Sequence, residues 1–165
     1  MISSLTKAYW DTNSPIYKIS QKKLIKKGIK CLLIDVDGTL LSRNTDKIPL
    51  QVKEWMKEST QLFKLYLISN NPSEKRISKV GNELGVKYKF RALKPKRKST
   101  LEVISIMNEN NKNIAIIGDR IFTDIVVGNR CNIKTILVKR LNNKGMPLKF
   151  NLTLSLEKLL SLFLF

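Results

Sequence analysis

The chain has 165 residues, 42% of them hydrophobic, which suffices for one sizeable core and is too little for two ordinary domains. The 31 Lys and Arg against 13 Asp and Glu give a formal net charge of +18; this field attracts phosphate-rich partners such as nucleic acid or an anionic membrane, although nucleotide bias alone also produces a Lys-rich solvated surface. No histidine occurs, which excludes Ser–His and Cys–His catalytic pairs; Cys31 and Cys131 lack CxxC spacing and are expected to be buried thiols in a reducing compartment.

Residues 1–29 form a basic segment with Lys22, Lys23, Lys26 and Lys27, running on to Lys30, and without the continuous apolar stretch of a secretory signal. Tyr9 and Trp10 ahead of these lysines suit either a membrane-interface anchor or packing on the core. From 30 to 150, short apolar runs alternate with helix-compatible stretches. Strands are expected at Cys31–Ile34, Leu65–Ile68, Ile114–Ile117 and Thr135–Val138, with a short one around Tyr88–Arg91. Helices are expected at about Pro49–Gln61, Ser73–Leu84, Ser99–Asn110 and Phe122–Arg130. Such alternation implies an α/β fold, a parallel sheet with helices on both faces, and a ligand site beyond the carboxyl ends of the strands. The apolar segment 151–165 ends in Leu159–Phe165, about 7 residues, where a helical bilayer span needs roughly 20. It is expected to be a terminal helix packed on the core, with a membrane-surface anchor as the alternative.

The polar residues that follow each apolar run are the candidates for chemistry. Asp35-Val36-Asp37-Gly38-Thr39 puts two carboxylates on one side of a strand end, where like charges need a cation or a proton between them. Gly38 permits a tight turn with main-chain N–H groups facing an anion; an Asp-Gly turn with a spare acid is the plainer alternative. Ser69-Asn70-Asn71-Pro72 offers a hydroxyl and backbone donors to a phosphate, or else is only a turn. Leu93-Lys94-Pro95-Lys96 sets a lysine at another strand end, where it can neutralise phosphate and nucleophile together, or belongs to an exposed basic loop. Gly118-Asp119-Arg120-Ile121-Phe122-Thr123-Asp124 carries two acids that suit a hard octahedral ion such as Mg²⁺, or a turn and a helix cap.

The order acid pair, hydroxyl, lysine, acid pair resembles the haloacid dehalogenase (HAD) superfamily, whose four motifs appear as DVDGT, the Ser69 site, the Lys94 site and GDRIFTD, across about Lys30–Lys139. The resemblance implies a Rossmann-like core and an aspartyl-phosphate mechanism. In it Asp35 is the nucleophile and Asp37 the general acid and base. Ser69 and Lys94 hold the phosphoryl group beside Gly38 and Asn70, and Mg²⁺ sits on Asp35, the backbone carbonyl of Asp37, and Asp119, with Asp124 in support. An acid at position 37 favours a phosphatase over the superfamily's transport ATPases, which carry Thr there.

Only about 28 residues separate Leu40 from Ser69 and about 24 separate Ser69 from Lys94, each span consumed by one helix, so no cap domain is expected. An uncovered site suits a phosphate on a large partner, or else needs a neighbouring subunit as lid. Ser69-Asn70-Asn71, Ala92-Leu93-Lys94-Pro95 and GDRIFTD followed by Gly128-Asn129-Arg130 resemble the YqeG branch of HAD subfamily IIIA. That branch is similar to the mitochondrial and plastid phosphatidylglycerophosphatases, although Gly38 stands where many members carry Asn. The resemblance implies an anionic phospholipid substrate, phosphatidylglycerophosphate, met by a cytoplasmic protein at the inner face of a membrane. Competing expectations are a phosphatase for a nucleic-acid 3′-phosphate or a soluble sugar phosphate, and a catalytically silent binding protein.

Overall fold

The computed structural model describes residues 5–148 and 151–163, with the side chains of 162 and 163 left out. Six parallel strands form one sheet: β1 (Trp10–Asp11), β2 (Cys31–Ile34), β3 (Lys64–Ile68), β4 (Tyr88–Lys89), β5 (Ile114–Gly118) and β6 (Lys134–Leu137), in the order β1-β6-β5-β2-β3-β4. The helices are α1 (Gln21–Lys26), α2 (Leu50–Leu62), α3 (Glu74–Leu84), α4 (Lys98–Met107), α5 (Val126–Arg130) and α6 (Leu152–Phe163).

Period-two alternation divides the core into two layers. Leu32 and Ile34 of β2 face a cluster with Leu24 of α1, Val52, Trp55 and Met56 of α2, and Ile77 and Val80 of α3. Cys31 and Leu33 face the opposite layer, with Val103, Ile104 and Met107 of α4 and Val127 of α5. All four residues of β2 are buried, as a strand covered on both faces requires; each such aliphatic side chain stabilises the fold by about 1.5–3 kcal/mol. Both cysteines are free and buried, and burial pushes both thiols up from their ordinary pKa.

The register positions the site. Ile34 pairs with Leu67 on one side and Ile117 on the other, so the chains leaving β2, β3 and β5 emerge side by side at the carboxyl edge. The β2–β3 connection carries a loop and α2, and the β3–β4 connection carries α3. No further helix or strand lies in either connection.

The basic N-terminal segment, residues 1–29, is described from Leu5. From Leu5 on it is built into the fold: β1 pairs with β6, Ile16, Ile19 and Leu24 are buried, and Trp55 Nε1 donates to the Ile19 carbonyl at 2.8 Å. Apolar residues scattered among its lysines meet the sheet, and the lysines point outward. Trp10 packs on the core, while Tyr9 is half exposed with Lys27 over its ring at 5.0 Å. The C-terminal segment forms α6, which rests Leu154 against Ile121, Ile125 and Leu137. It leaves Leu152, Leu156, Leu159 and Leu160 exposed, and Leu164 and Phe165 lie outside the described residues. No described helix is long and apolar enough to cross a membrane.

Candidate active site

Asp35 continues β2 through its N–H, which donates to Ile117 O at 2.9 Å, and it leaves only 7% of its surface exposed. Lys94 reaches it from the chain beyond β4. The buried ammonium uses all three protons, on Asp35 Oδ1 (2.7 Å), Asp124 Oδ1 (2.6 Å) and Ile68 O (2.9 Å). Burial alone would lower the pKa of Lys94, but Asp124 and Asp35 outweigh it and hold the ammonium charged. Burial raises Asp35 to about 6, with Lys94 opposing the rise and Asp124 adding to it.

Asp119 is the first residue beyond β5 and is 1% exposed. Neither of its oxygens has a hydrogen-bond partner; Arg140 Nε lies 3.0 Å from Oδ2 as an ion pair without hydrogen-bond alignment. Burial, then Asp35 and Asp124, raise Asp119 to about 8, against Arg140 and Arg120. Asp124 arrives on a π-helical turn, Ile121–Ile125, and accepts the Arg120 N–H at 3.2 Å. That close return needs Gly118, because a Cβ there would stand 2.3 Å from Asp124 Cγ.

Asp35, Asp119 and Asp124 thus present oxygens within 4.8 Å of one another. Three carboxylates against one saturated ammonium, with an orphaned carboxylate among them, form the donor set of a hard divalent cation, and the residues fit one. The Asp37 carboxylate is not part of this group. It is held by other donors, with Oδ1 taking Arg76 Nη2 (2.8 Å) and Nε (3.1 Å) and Oδ2 taking Asn71 Nδ2 (2.7 Å). Only a backbone role would bring residue 37 to the metal.

Two groups expected at the phosphate make hydrogen bonds within the protein. The Gly38 N–H donates to Leu41 O at 2.7 Å inside the turn. Gly38 serves instead as space: its φ is +103°, and a Cβ would stand 2.6 Å from Asp119 Oδ2. The Asn70 side chain is also committed, exchanging hydrogen bonds of 2.7 and 2.8 Å with the backbone N–H and carbonyl of Lys94. It positions the lysine. Ser69 is buried and accepts the Asn71 N–H at 3.1 Å, which leaves its own hydroxyl proton for a ligand oxygen.

The resulting cleft, about 30 Å³, is lined by Asp35, Asp37, Ser69, Lys94 and Asp124 and edged by Arg43, Arg120 and Thr123. It has room for an ion or a water, not for a substrate's body. Arg43, Arg76 and Arg140 were not singled out in the sequence. Arg120 stood inside a motif, but a basic residue in the first turn of α3 or in a loop carries no local signal of its target.

A buried aspartate at a strand end, a lysine across from it and an acidic ion site, set on the α/β parallel-sheet core, fit a phosphoric monoester hydrolase. The family model described as mitochondrial PGP phosphatase matches residues 4–141, and the chain belongs to that family. It is 29% identical over 138 residues to the probable phosphatase YqeG of Bacillus subtilis (strain 168), covering 82% of this chain and 80% of that protein. Among solved structures it is similar in fold to the cobalt-bound deoxy-D-mannose-octulosonate 8-phosphate phosphatase of Haemophilus influenzae. There the TM-score is 0.51 at 18% identity, over 69% of each chain. The 3-deoxy-D-manno-octulosonate 8-phosphate phosphatase of Moraxella catarrhalis, solved with magnesium, phosphate and its sugar, gives 0.52 at 16% identity, over 77% of this chain and 86% of that one.

Proposed function

We propose that the protein is a Mg²⁺-dependent phosphatase that removes the terminal phosphate of phosphatidylglycerophosphate, leaving phosphatidylglycerol, through an aspartyl-phosphate on Asp35. The observation that carries this reading is the family match across residues 4–141.

In the first step Asp35, one oxygen held by Lys94, attacks phosphorus in line as the bond to the glycerol oxygen breaks. Ser69 donates to the transferred group, and Lys94 trades one of its three protein contacts for a phosphoryl oxygen. Mg²⁺ held by Asp35, Asp119, Asp124 and the carbonyl of Asp37 would neutralise the phosphoryl oxygens. As arranged, both oxygens of Asp37 are acceptors, the form that takes the water proton in the second step. To protonate the leaving glycerol oxygen in the first step, Asp37 must enter the cycle with a proton on Oδ2 in place of the Asn71 contact; it gives that proton to the glycerol oxygen and regains one from the attacking water in the second step.

A cleft this small leaves the lipid outside, and the rim around it is basic: Arg43, Lys96, Arg97, Lys98 and Lys144 are exposed at or near the carboxyl edge. Such a rim supports peripheral docking on an anionic, cytoplasmic membrane face, at about 1 kcal/mol per near-surface charge.

Phosphate release with Mg²⁺ from phosphatidylglycerophosphate in mixed micelles, from a 3′-phosphorylated oligonucleotide and from a sugar phosphate tests the assignment. Preference for either competitor overturns the lipid reading. Asp35→Asn should cost about 10⁴-fold in kcat, and retained turnover would remove Asp35 as nucleophile.

A further inference from the structure

A second pocket, about 520 Å³, adjoins the cleft and shares Arg43 with it. Arg43, Arg140 and Lys144 line it with Ser42, Asn142 and Leu148, and no acidic residue takes part. Its two walls are tied to each other and to the catalytic turn. Ser42 Oγ donates to Asn143 Oδ1 at 2.6 Å, and Leu141 N–H donates to Gly38 O at 2.8 Å. The hairpin wall is braced from within: Asn142 Oδ1 accepts the N–H groups of Lys144 and Met146 at 2.9 and 3.1 Å. Arg140 links pocket and ion site, since its Nε faces Asp119 while its Nη2, buried, has no hydrogen-bond acceptor.

We infer that this pocket is a second anion subsite, which holds the inner phosphodiester of a substrate whose terminal phosphomonoester lies against Asp35. Arg43 and Lys144 have no acidic partner among the described residues, and Arg140, paired with Asp119 through Nε alone, keeps an unpartnered Nη2; together they select an anion. A built wall tied to the Gly38 turn fixes the subsite relative to the nucleophile, so the pocket measures the separation between two phosphates. The inference rests on the lipid reading above and narrows it: recognition is of the two-phosphate head group rather than of the acyl chains. A nucleic-acid end also carries a diester beside its terminal phosphate, and the experiment separates the two.

The test measures kcat/KM of the full chain with Mg²⁺ on three soluble substrates: the deacylated head group glycerophosphoglycerophosphate, glycerol 3-phosphate, and a 3′-phosphorylated dinucleotide. The expected preference for the head group over glycerol 3-phosphate is about tenfold or more, from one charge-assisted contact. Lys144→Glu should reduce that ratio to near unity through KM, leaving glycerol 3-phosphate turnover within about twofold. Lys26→Glu, the same charge change at the opposite edge of the sheet, should leave the ratio intact. An equal loss in both variants would reduce the effect to overall charge and overturn the subsite. Hydrolysis of lipid and head group with no preference over glycerol 3-phosphate overturns the subsite and spares the lipid reading. Dinucleotide favoured over head group, or neither lipid nor head group hydrolysed, overturns both.

Discussion

At the scale of single residues, the proposed division of labour between Asp35 and Asp37 follows what each carboxylate touches. Asp35 shares Lys94 with Asp124, whereas Asp37 is gripped by Arg76 and Asn71. In the mechanism proposed above, Arg76 acts as a positioning residue for proton transfer; it is also anchored to Asp46 and to the carbonyls of Ser42 and Thr45. Arg76→Ala should lower kcat about 10²-fold on an alkyl phosphate, whose leaving oxygen needs a proton, and much less on p-nitrophenyl phosphate, whose leaving group does not. Equal losses on both would assign Arg76 a merely structural role. Asp119 makes a second prediction. Below pH about 4 its carboxyl is protonated in folded and unfolded chains alike; from there to about 8 only the folded chain keeps the proton, so metal-free stability falls as pH rises. Asp35, raised to about 6, acts in the same direction. Mg²⁺ should accordingly raise Tm more at pH 8 than at pH 5, and Asp119→Asn should stabilise the metal-free protein at pH 8 while abolishing the Mg²⁺ response. A Mg²⁺ shift independent of pH would contradict the assignment.

At the scale of elements, the site depends on how chains leave the sheet. The expected helix at Phe122–Arg130 is split into a π-helical turn and a short α-helix, and the wider turn swings Asp124 back over Gly118 onto Lys94. Glu157 of α6 accepts the Ile121 N–H at 2.8 Å, so the C-terminal helix is pinned to the same turn, and burial pushes its carboxyl up. The N-terminal segment behaves as an element of the core rather than as a tail. Leu24, with none of its surface exposed, lies under the first layer. Leu24→Ala should cost about 2–5 kcal/mol in urea unfolding; a loss near zero would return residues 5–29 to the status of an appendage.

At the scale of the whole molecule, the charge is not distributed as the sequence suggests. The N-terminal lysines run toward the amino edge of the sheet: Lys30 N donates to Asn113 O ahead of β5, and the Lys27 carbonyl accepts Lys134 Nζ at the start of β6. The cleft lies at the opposite edge, beside Lys96, Arg97 and Lys98. Under the proposed docking, the cleft faces the lipid and the densest lysine cluster of the sequence turns away from it. Sedimentation with anionic vesicles should show a loss of about tenfold or more for the pair Lys96→Glu and Lys98→Glu, and a smaller one for Lys26→Glu and Lys87→Glu at the amino edge. The reverse order would place the amino edge on the lipid.

Much of this protein is local in its chain. Buried parallel strands write themselves as apolar runs, and strand ends write themselves as the polar residues that follow, so β2, β3, β5 and β6 and the residues Asp35, Ser69, Lys94, Asp119 and Asp124 were legible from order alone. The same holds for the family, whose motifs sit at those ends. What stayed hidden needs three dimensions. β1 has two residues and no pattern of its own; it exists because β6 offers an edge. Arg76 and Arg140 are ordinary surface-type residues until the fold brings them to carboxylates 39 positions and 21 positions away. Gly38 and Asn70 reveal their roles only through what stands next to them, one leaving room for Asp119 and the other holding the backbone of Lys94. A motif records which groups the chemistry needs; only packing decides which of their hydrogen bonds remain free for a substrate, because the protein's own donors and acceptors compete for them.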